Sequence, residues 1–181
     1  MRALLLCALL AAQVRAGVSV SSVAFEVSYE TKKGRAVFHP MESLLLPPDA
    51  KPPTHLRAVL TLDNDGPRAE SGVVVRFAFS ARIRRVSDEG EGTWTVPFLL
   101  EERHVPQVAR GRGVALPIPI NRVALVAHLK RLRTAGYWPD GLKIEMLIEP
   151  RLGEGMAGRT AQKTVAVDWR PPPARPGGPT R

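Results

Sequence analysis

Apolar and polar positions alternate along much of this chain, most clearly from Gly72 to Val86, which reads GVVVRFAFSARIRRV. Val73, Val75, Phe77, Phe79, Ala81 and Ile83 fall on one parity, and Val74, Arg76, Ala78, Ser80, Arg82 and Arg84 on the other. Successive side chains of a strand point to opposite faces, so the run predicts a long strand with one face on a core and one in water. A first strand is predicted within 18–30, with Val23, Phe25, Val27 and Tyr29 on one side. Lys32-Lys33-Gly34 reads as a turn and Arg35 to His39 as a short partner strand. His55 to Leu62 predicts another strand, with Leu56, Ala58, Leu60 and Leu62 inward. Asp63-Asn64-Asp65-Gly66-Pro67 ends that strand with turn chemistry, and the flanking strands are expected to form a hairpin with an extended tip.

Prolines at 40, 47, 48, 52 and 53 remove amide donors, so 40–54 reads as a long connection or edge segment. Trp94, Val96, Phe98 and Leu100 share one parity of an expected strand at 93–101, with Pro97 marking an edge or bulge, and 102–113 reads as a polar connection. Val114, Leu116, Ile118 and Ile120 alternate with positions that include Pro117 and Pro119. Those two prolines leave the same side of the strand without donors, which places it at a sheet margin. Asn121 is a good N-cap for a helix at about 122–134, whose apolar stripe is Leu125, Val126, Leu129 and Leu132. Gly136 is placed to end it, and Pro139-Asp140-Gly141 reads as a turn. Leu142 to Ile148 alternates again. A glycine-rich hairpin at 151–158 leads to a last strand over 160–169, with Val165, Val167 and Trp169 inward.

About seven or eight antiparallel strands, with one helix in a connection, predict an all-β, two-sheet sandwich over 17–169. Both ends fall outside it. Residues 1–16 have a basic start, an uncharged apolar run from Ala3 to Ala12, and Val14-Arg15-Ala16 before Gly17, the pattern of a secretory signal peptide. The run is too short to span a bilayer, which takes about 20 apolar residues, so no integral membrane span is expected after cleavage. From residue 170 the chain reads RPPPARPGGPTR, a Pro/Gly/Arg-rich tail with nothing to bury.

Charge and cysteine content change the picture in two ways. The net charge is +9, and losing Arg2 and Arg15 with the leader takes it to +7. That balance suits an acidic partner, either an envelope protein or an anionic polysaccharide, but equally serves to keep a small exported domain soluble, the preferred reading; after export, nucleic acid is not expected. Cys7 is the only cysteine and lies in the leader. The mature chain then holds no disulfide, no thiol nucleophile and no cysteine metal ligand.

The run LTLDNDGPRAESGVVVRFAFS resembles the strand, Asn-x-Gly turn, strand signature of bacterial immunoglobulin-like modules of the cell envelope, with Leu60 to Gly66 on the strand-end turn. The likeness covers about the middle third of the chain; the proline-rich segment 40–54 and the helix depart from the pattern. It implies an immunoglobulin-like sandwich with an adhesion, assembly or accessory binding role.

Candidate chemistry is sparse. His39, His55, His104 and His128 show no metal-ligand spacing, no Gly-x-Ser-x-Gly elbow occurs, and no cofactor motif is present. A cross-strand site of His39, His55 and Glu102 would be needed for a metal-dependent hydrolase, the least favoured reading. Asp63, Asn64, Asp65 and Glu70 offer oxygen ligands without the spacing of a calcium loop. Arg76, Arg82 and Arg84 share the outward face of the long strand, and Arg85, Arg110, Arg112, Lys130, Arg131 and Arg133 are candidates to extend it. Trp94, Tyr137, Trp138 and Trp169 are the candidate rings for sugar stacking; Tyr137-Trp138, in the turn after the helix, is the pair expected to be partly exposed, unless it plugs the end of the sandwich, the favoured role. The leading expectation is a secreted or periplasmic, non-enzymatic binding module that contacts another envelope component; the alternative is a carbohydrate-binding module.

Overall fold

The computed structural model describes residues 17–169, apart from 29–30, 33–34, 50, 89 and 152–154, so the leader and the tail lie outside the described residues. In chain order the strands are β1 (Val18–Ser28), β2 (Thr31–Lys32), β3 (Arg35–Ala36), β4 (His39–Pro40), β5 (Ser43–Leu45), β6 (His55–Asn64), β7 (Glu70–Arg85), β8 (Thr93–Trp94), β9 (Leu99–Val108) and β10 (Val114–Pro119). Helix α1 (Arg122–Thr134) follows, then β11 (Tyr137–Ile148) and β12 (Thr160–Asp168). One sheet has the order β10-β6-β1-β4. The larger has the order β5-β12-β11-β7-β8, with β9 also paired to β7, and β2 pairs with β3 alone. The chain is an all-β two-sheet sandwich with one helix among the described residues.

The alternation in β7 supplies five side chains of the core. Val73, Val75, Phe77, Phe79 and Ala81 are buried, and β11 adds Leu142, Ile144, Met146 and Ile148 from the same face of the larger sheet. Phe25 of β1 and Leu56, Ala58, Leu60 and Leu62 of β6 face them from the smaller sheet. Phe25 meets Phe79 edge-on, ring centroids 6.3 Å apart, which joins the two sheets directly. The margin expected for the proline-alternating strand is observed: β10 is the outermost strand of the smaller sheet and pairs only with β6. The helix lies where Asn121 predicts. The Asn121 Oδ1 accepts from the amides of Val123 and Ala124, and Gly136, at φ 78°, follows the C-cap. Its buried side chains are Leu125, Leu129 and Leu132, while Val126 is exposed.

Four expectations are corrected. First, β6 and β7 are not a hairpin: β6 pairs with β1 and β10, β7 with β11, β8 and β9, so the connection between them crosses from one sheet to the other. Asn64 makes the crossing. It is fully buried, its Nδ2 donates to the carbonyls of Arg68 and Val108 at 2.9 Å each, and its Oδ1 accepts from the Gly66 amide at 2.9 Å. Second, Pro97 breaks the strand expected at 93–101. The parity resets after it, so Leu99 packs inward, Leu100 and Val96 are exposed, and β9 continues through what reads as a polar connection to Val108.

Third, the proline-rich segment is not only a connection. Between its prolines β5 runs parallel to β12, and Met41, Leu44 and Leu46 enter the core, which makes this pair the exception to an antiparallel plan. Fourth, Pro139-Asp140-Gly141 is not a turn. It lies inside β11, where the register slips between Pro139 and Gly141 against Ile83 and Arg82 and leaves Asp140 as the extra residue of a β-bulge. The hairpin expected near 151–158 does join antiparallel strands, β11 and β12.

The Asn64 amide gives a direct test. Asn64→Ala removes one acceptor and two donors from a water-free corner and strands their partners, so unfolding free energy should fall by about 3 kcal/mol in urea titrations. An exposed control, Ser21→Ala, should leave it within about 0.5 kcal/mol.

Candidate functional site

The outer face of the larger sheet collects most of the polar side chains singled out in the sequence. Register sets their order. Arg82 of β7 lies opposite Gly141 of β11 and opposite Trp94 of β8; Gly141 lies opposite Ala166 of β12, and Ala166 opposite Ser43 of β5. One row therefore crosses the sheet as Ser43, Ala166, Gly141, Arg82, Trp94. Three of the five are small, so the row is a trough. Gly141 keeps it low: a β-carbon there would meet the Trp94 indole at 3.6 Å and Arg82 at 3.4 Å.

At one end of the row Trp94 is 37% exposed, with the Lys143 ammonium 4.7 Å and the Arg82 guanidinium carbon 5.9 Å from its ring. At the other end an open groove of about 590 Å³ is lined by Ser43, Arg84, Asp140, Ala166, Asp168 and Trp169. The Arg84 guanidinium lies 4.4 Å over the Trp169 ring. Its Nε is buried and finds no hydrogen-bond acceptor among the described residues. No carboxylate pairs with this guanidinium among the described residues, so its charge is not already neutralised where the groove opens. Asp140, displaced outward by the bulge, accepts from Arg82 Nε at 2.8 Å. The groove thus places a cation, two carboxylates and a hydroxyl around one opening, with donors and acceptors intermixed.

The three arginines do share the outer face of β7, but they do not form a uniform cationic stripe. Arg76 is half-exposed and lies 3.6 Å from Glu102 and 3.4 Å from Glu149. Arg82 is tied to Asp140 and lies 5.9 Å from the Trp94 ring, while Arg84 rests on Trp169 with no carboxylate partner among the described residues. Glu102 faces Arg76 from β9, Glu149 reaches it from just after β11, and the bulged Asp140 reaches Arg82, none of which the β7 pattern alone shows. Arg110 and Arg112 lie in the turn after β9, at the end of β7 away from Arg84, and Lys130, Arg131 and Arg133 lie on α1. Tyr137 and Trp138 sit in β11 and not in a turn. Trp138 is buried, its indole N–H donating to the Leu46 carbonyl at 2.8 Å, so it plugs the sandwich and offers no ring for stacking. Tyr137 is half-buried and lies under Arg85, its hydroxyl raising the guanidinium's affinity for its proton through a hydrogen bond. Of the candidate rings, Trp94 is the one left partly exposed on this face, and Trp169 is buried beneath Arg84. Asp140 and Asp168 were not candidates from sequence.

His39 and His55 belong to the smaller sheet and Glu102 to β9 of the larger, and among the described residues no three His, Cys, Asp or Glu side chains converge on a metal-sized space. Nor do Asp63, Asn64, Asp65 and Glu70 act as a ligand set, since the Asn64 amide is committed to the crossing. Among the described residues no helix is long and apolar enough to cross a membrane. No protein-family model matches this sequence, and no curated protein matches it.

His128 marks where the helix meets the sheet. Its ring stacks on Phe98 with centroids 4.7 Å apart, and its Nε2 is buried without a partner among the described residues. Burial first, and the Arg131 charge second, push its pKa below the ordinary histidine value. The unfolded chain therefore binds this proton more readily than the folded one, and stability falls as pH drops below about 6.5. Urea midpoints measured from pH 7.5 down to 5 should show this decline, and His128→Leu should flatten it.

Proposed function

We propose that the chain is an exported, non-enzymatic, immunoglobulin-like binding module that docks another cell-envelope component on the outer face of its larger sheet. The observation that carries this reading is Arg84: a guanidinium held on Trp169 at the mouth of a groove, with no carboxylate partner among the described residues. An incoming carboxylate or sulfate oxygen would meet a cation whose charge is not already neutralised, and charge-assisted hydrogen bonds of this kind are the stronger ones. The leader-like first sixteen residues and the absence of a nucleophile or metal motif in the sequence support the same reading. The partner is an acidic envelope protein or an anionic polysaccharide, which Arg84 and Ser43 meet while Trp94 and Lys143 extend the contact along the trough.

A second reading, a carbohydrate-binding module, is favoured by one feature. Trp94 stands half-exposed at the end of a trough floored by Ser43, Ala166 and Gly141, a geometry that suits a sugar ring on the indole. The two readings separate by salt and by residue. Charge-driven docking weakens as ionic strength rises, whereas stacking does not.

Binding of the purified chain to envelope fractions and to isolated acidic polysaccharide should fall about tenfold or more in Arg82→Glu/Arg84→Glu, and should fall with added salt. Loss on Trp94→Ala with no salt dependence would move the assignment to a neutral glycan. Binding untouched by either change would remove this face from consideration. Circular dichroism of each variant confirms that the sandwich is intact.

A further inference from the structure

The start of β1 lies in a corner where a side chain at residue 17 would have to displace the Glu70 carboxylate. A β-carbon at residue 17 would lie 2.8 Å from the Glu70 Oε2 and 3.5 Å from the Asn64 Oδ1. Gly66 is pressed against the same spot, since a β-carbon there would lie 2.9 Å from the Gly17 Cα. The Gly17 carbonyl accepts from the Asp65 amide at 2.9 Å, and the next residue, Val18, is fully buried opposite Asn64. Residue 17 is therefore fixed on both sides. The nitrogen and a β-carbon share one Cα, so the Gly17 nitrogen lies within about 5 Å of the Glu70 carboxylate.

Glu70 is itself nearly enclosed, its side chain 10% exposed. Its Oε1 faces the Arg151 Nε at 3.7 Å, a loose ion pair, while its Oε2 is the oxygen turned to residue 17. The Arg151 guanidinium also donates to the Ser71 carbonyl. In an uncleaved chain the nitrogen at residue 17 is a neutral amide. Opposite charges 4–6 Å apart stabilise each other appreciably where water is scarce, so a carboxylate in this corner suits a cation better than an amide.

We propose that Gly17 is the first residue of the mature protein and that its free ammonium pairs with Glu70, so that removal of the leader itself tightens the fold. The inference rests on reading residues 1–16 as a signal peptide. The covalent step is hydrolysis of the Ala16–Gly17 peptide bond by an export-pathway peptidase: water supplies hydroxyl to the Ala16 carbonyl carbon and a proton to the Gly17 nitrogen, which takes up a second proton at neutral pH. The new cation enters a corner where Glu70 on β7 faces Arg151 after β11, with Asn64 and the Asp65 amide at the end of β6 against Gly17. The fold thereby distinguishes a processed chain from an unprocessed one without any change in its strands.

The test compares three otherwise identical chains: one beginning at Gly17, one with Gly17 acetylated, and one carrying Ala16 ahead of it. The acetylated and extended chains should melt about 2–4 °C below the Gly17 chain. In a Glu70→Gln background that difference should vanish. An equal penalty in both backgrounds would show that crowding, not charge, sets it, and no penalty in either would remove the pairing; both overturn the proposal. Should Glu70→Gln fail to fold, the melting difference between the Gly17 and acetylated chains is followed from pH 6 to 10 instead. It should fade as pH passes the α-amino range near about 8, and a constant difference overturns the pairing. Intact mass of the exported protein checks the underlying reading separately. A start elsewhere than Gly17 overturns the processing site, while a start at Gly17 with no thermal coupling to Glu70 overturns only the ion pair.

Discussion

A single buried side-chain amide ties together the crossing between the two sheets. Asn64 ends β6 in one sheet and begins the passage to β7 in the other, and its three side-chain hydrogen bonds reach the passage at Gly66 and Arg68 and the end of β9 at Val108. The passage itself is largely exposed, but Asn64 and Gly66 at its start are buried, and their polar groups must find partners there. Asn suits the task because it has both donors and an acceptor; a residue with only one kind would leave part of the corner unsatisfied. Once the crossing is fixed, the apolar face of β7 can lie against that of β6 and β1, and Phe25 can reach Phe79. Without it, β6 and β7 would be free to pair as the hairpin their sequences invite.

Much of the architecture was legible because period-two alternation is a strong signal when one face is buried. Val73 to Ala81, Leu56 to Leu62 and Val165 to Trp169 all face inward as their parity requires. The helix was legible from Asn121 and Gly136, and the margin position of β10 from two prolines. What could not be read was pairing. Alternation tells which face of a strand is buried but not which strand lies beside it, so adjacent strands in sequence were read as neighbours in space. Short apolar pieces between prolines, such as Leu44 and Leu46, also lack a period long enough to count, and only the sheet they join makes them core.

The same limit applies to the candidate site. The outward parity of Arg76, Arg82 and Arg84 was plain in the sequence, yet their chemistry depends on neighbours contributed by other strands. Glu102 and Glu149 meet the first, Asp140 the second and Trp169 the third. Three residues of one type on one face are therefore three different groups electrostatically: a surface ion cluster, a partly shielded ion pair, and a cation on an indole. The bulge at Asp140 illustrates why. A Pro-Asp-Gly sequence has the composition of a turn, but within a long strand the extra residue is taken up as a local kink that aims a carboxylate outward.

The parallel pairing of β5 with β12 bears on how the molecule comes to be folded at all. Ser43 lies beside Ala166, ~120 positions away along the chain, and Leu46 receives both the Trp138 indole N–H and a place in the core from the same arrangement. Contacts this distant in sequence form late, because the loop between them must close first. The first third of the chain therefore carries apolar side chains with no shelter until its last strand arrives. The prolines around that segment hold it extended and deny it a ladder of its own in the interval, so the waiting strand is kept from pairing with the wrong neighbour.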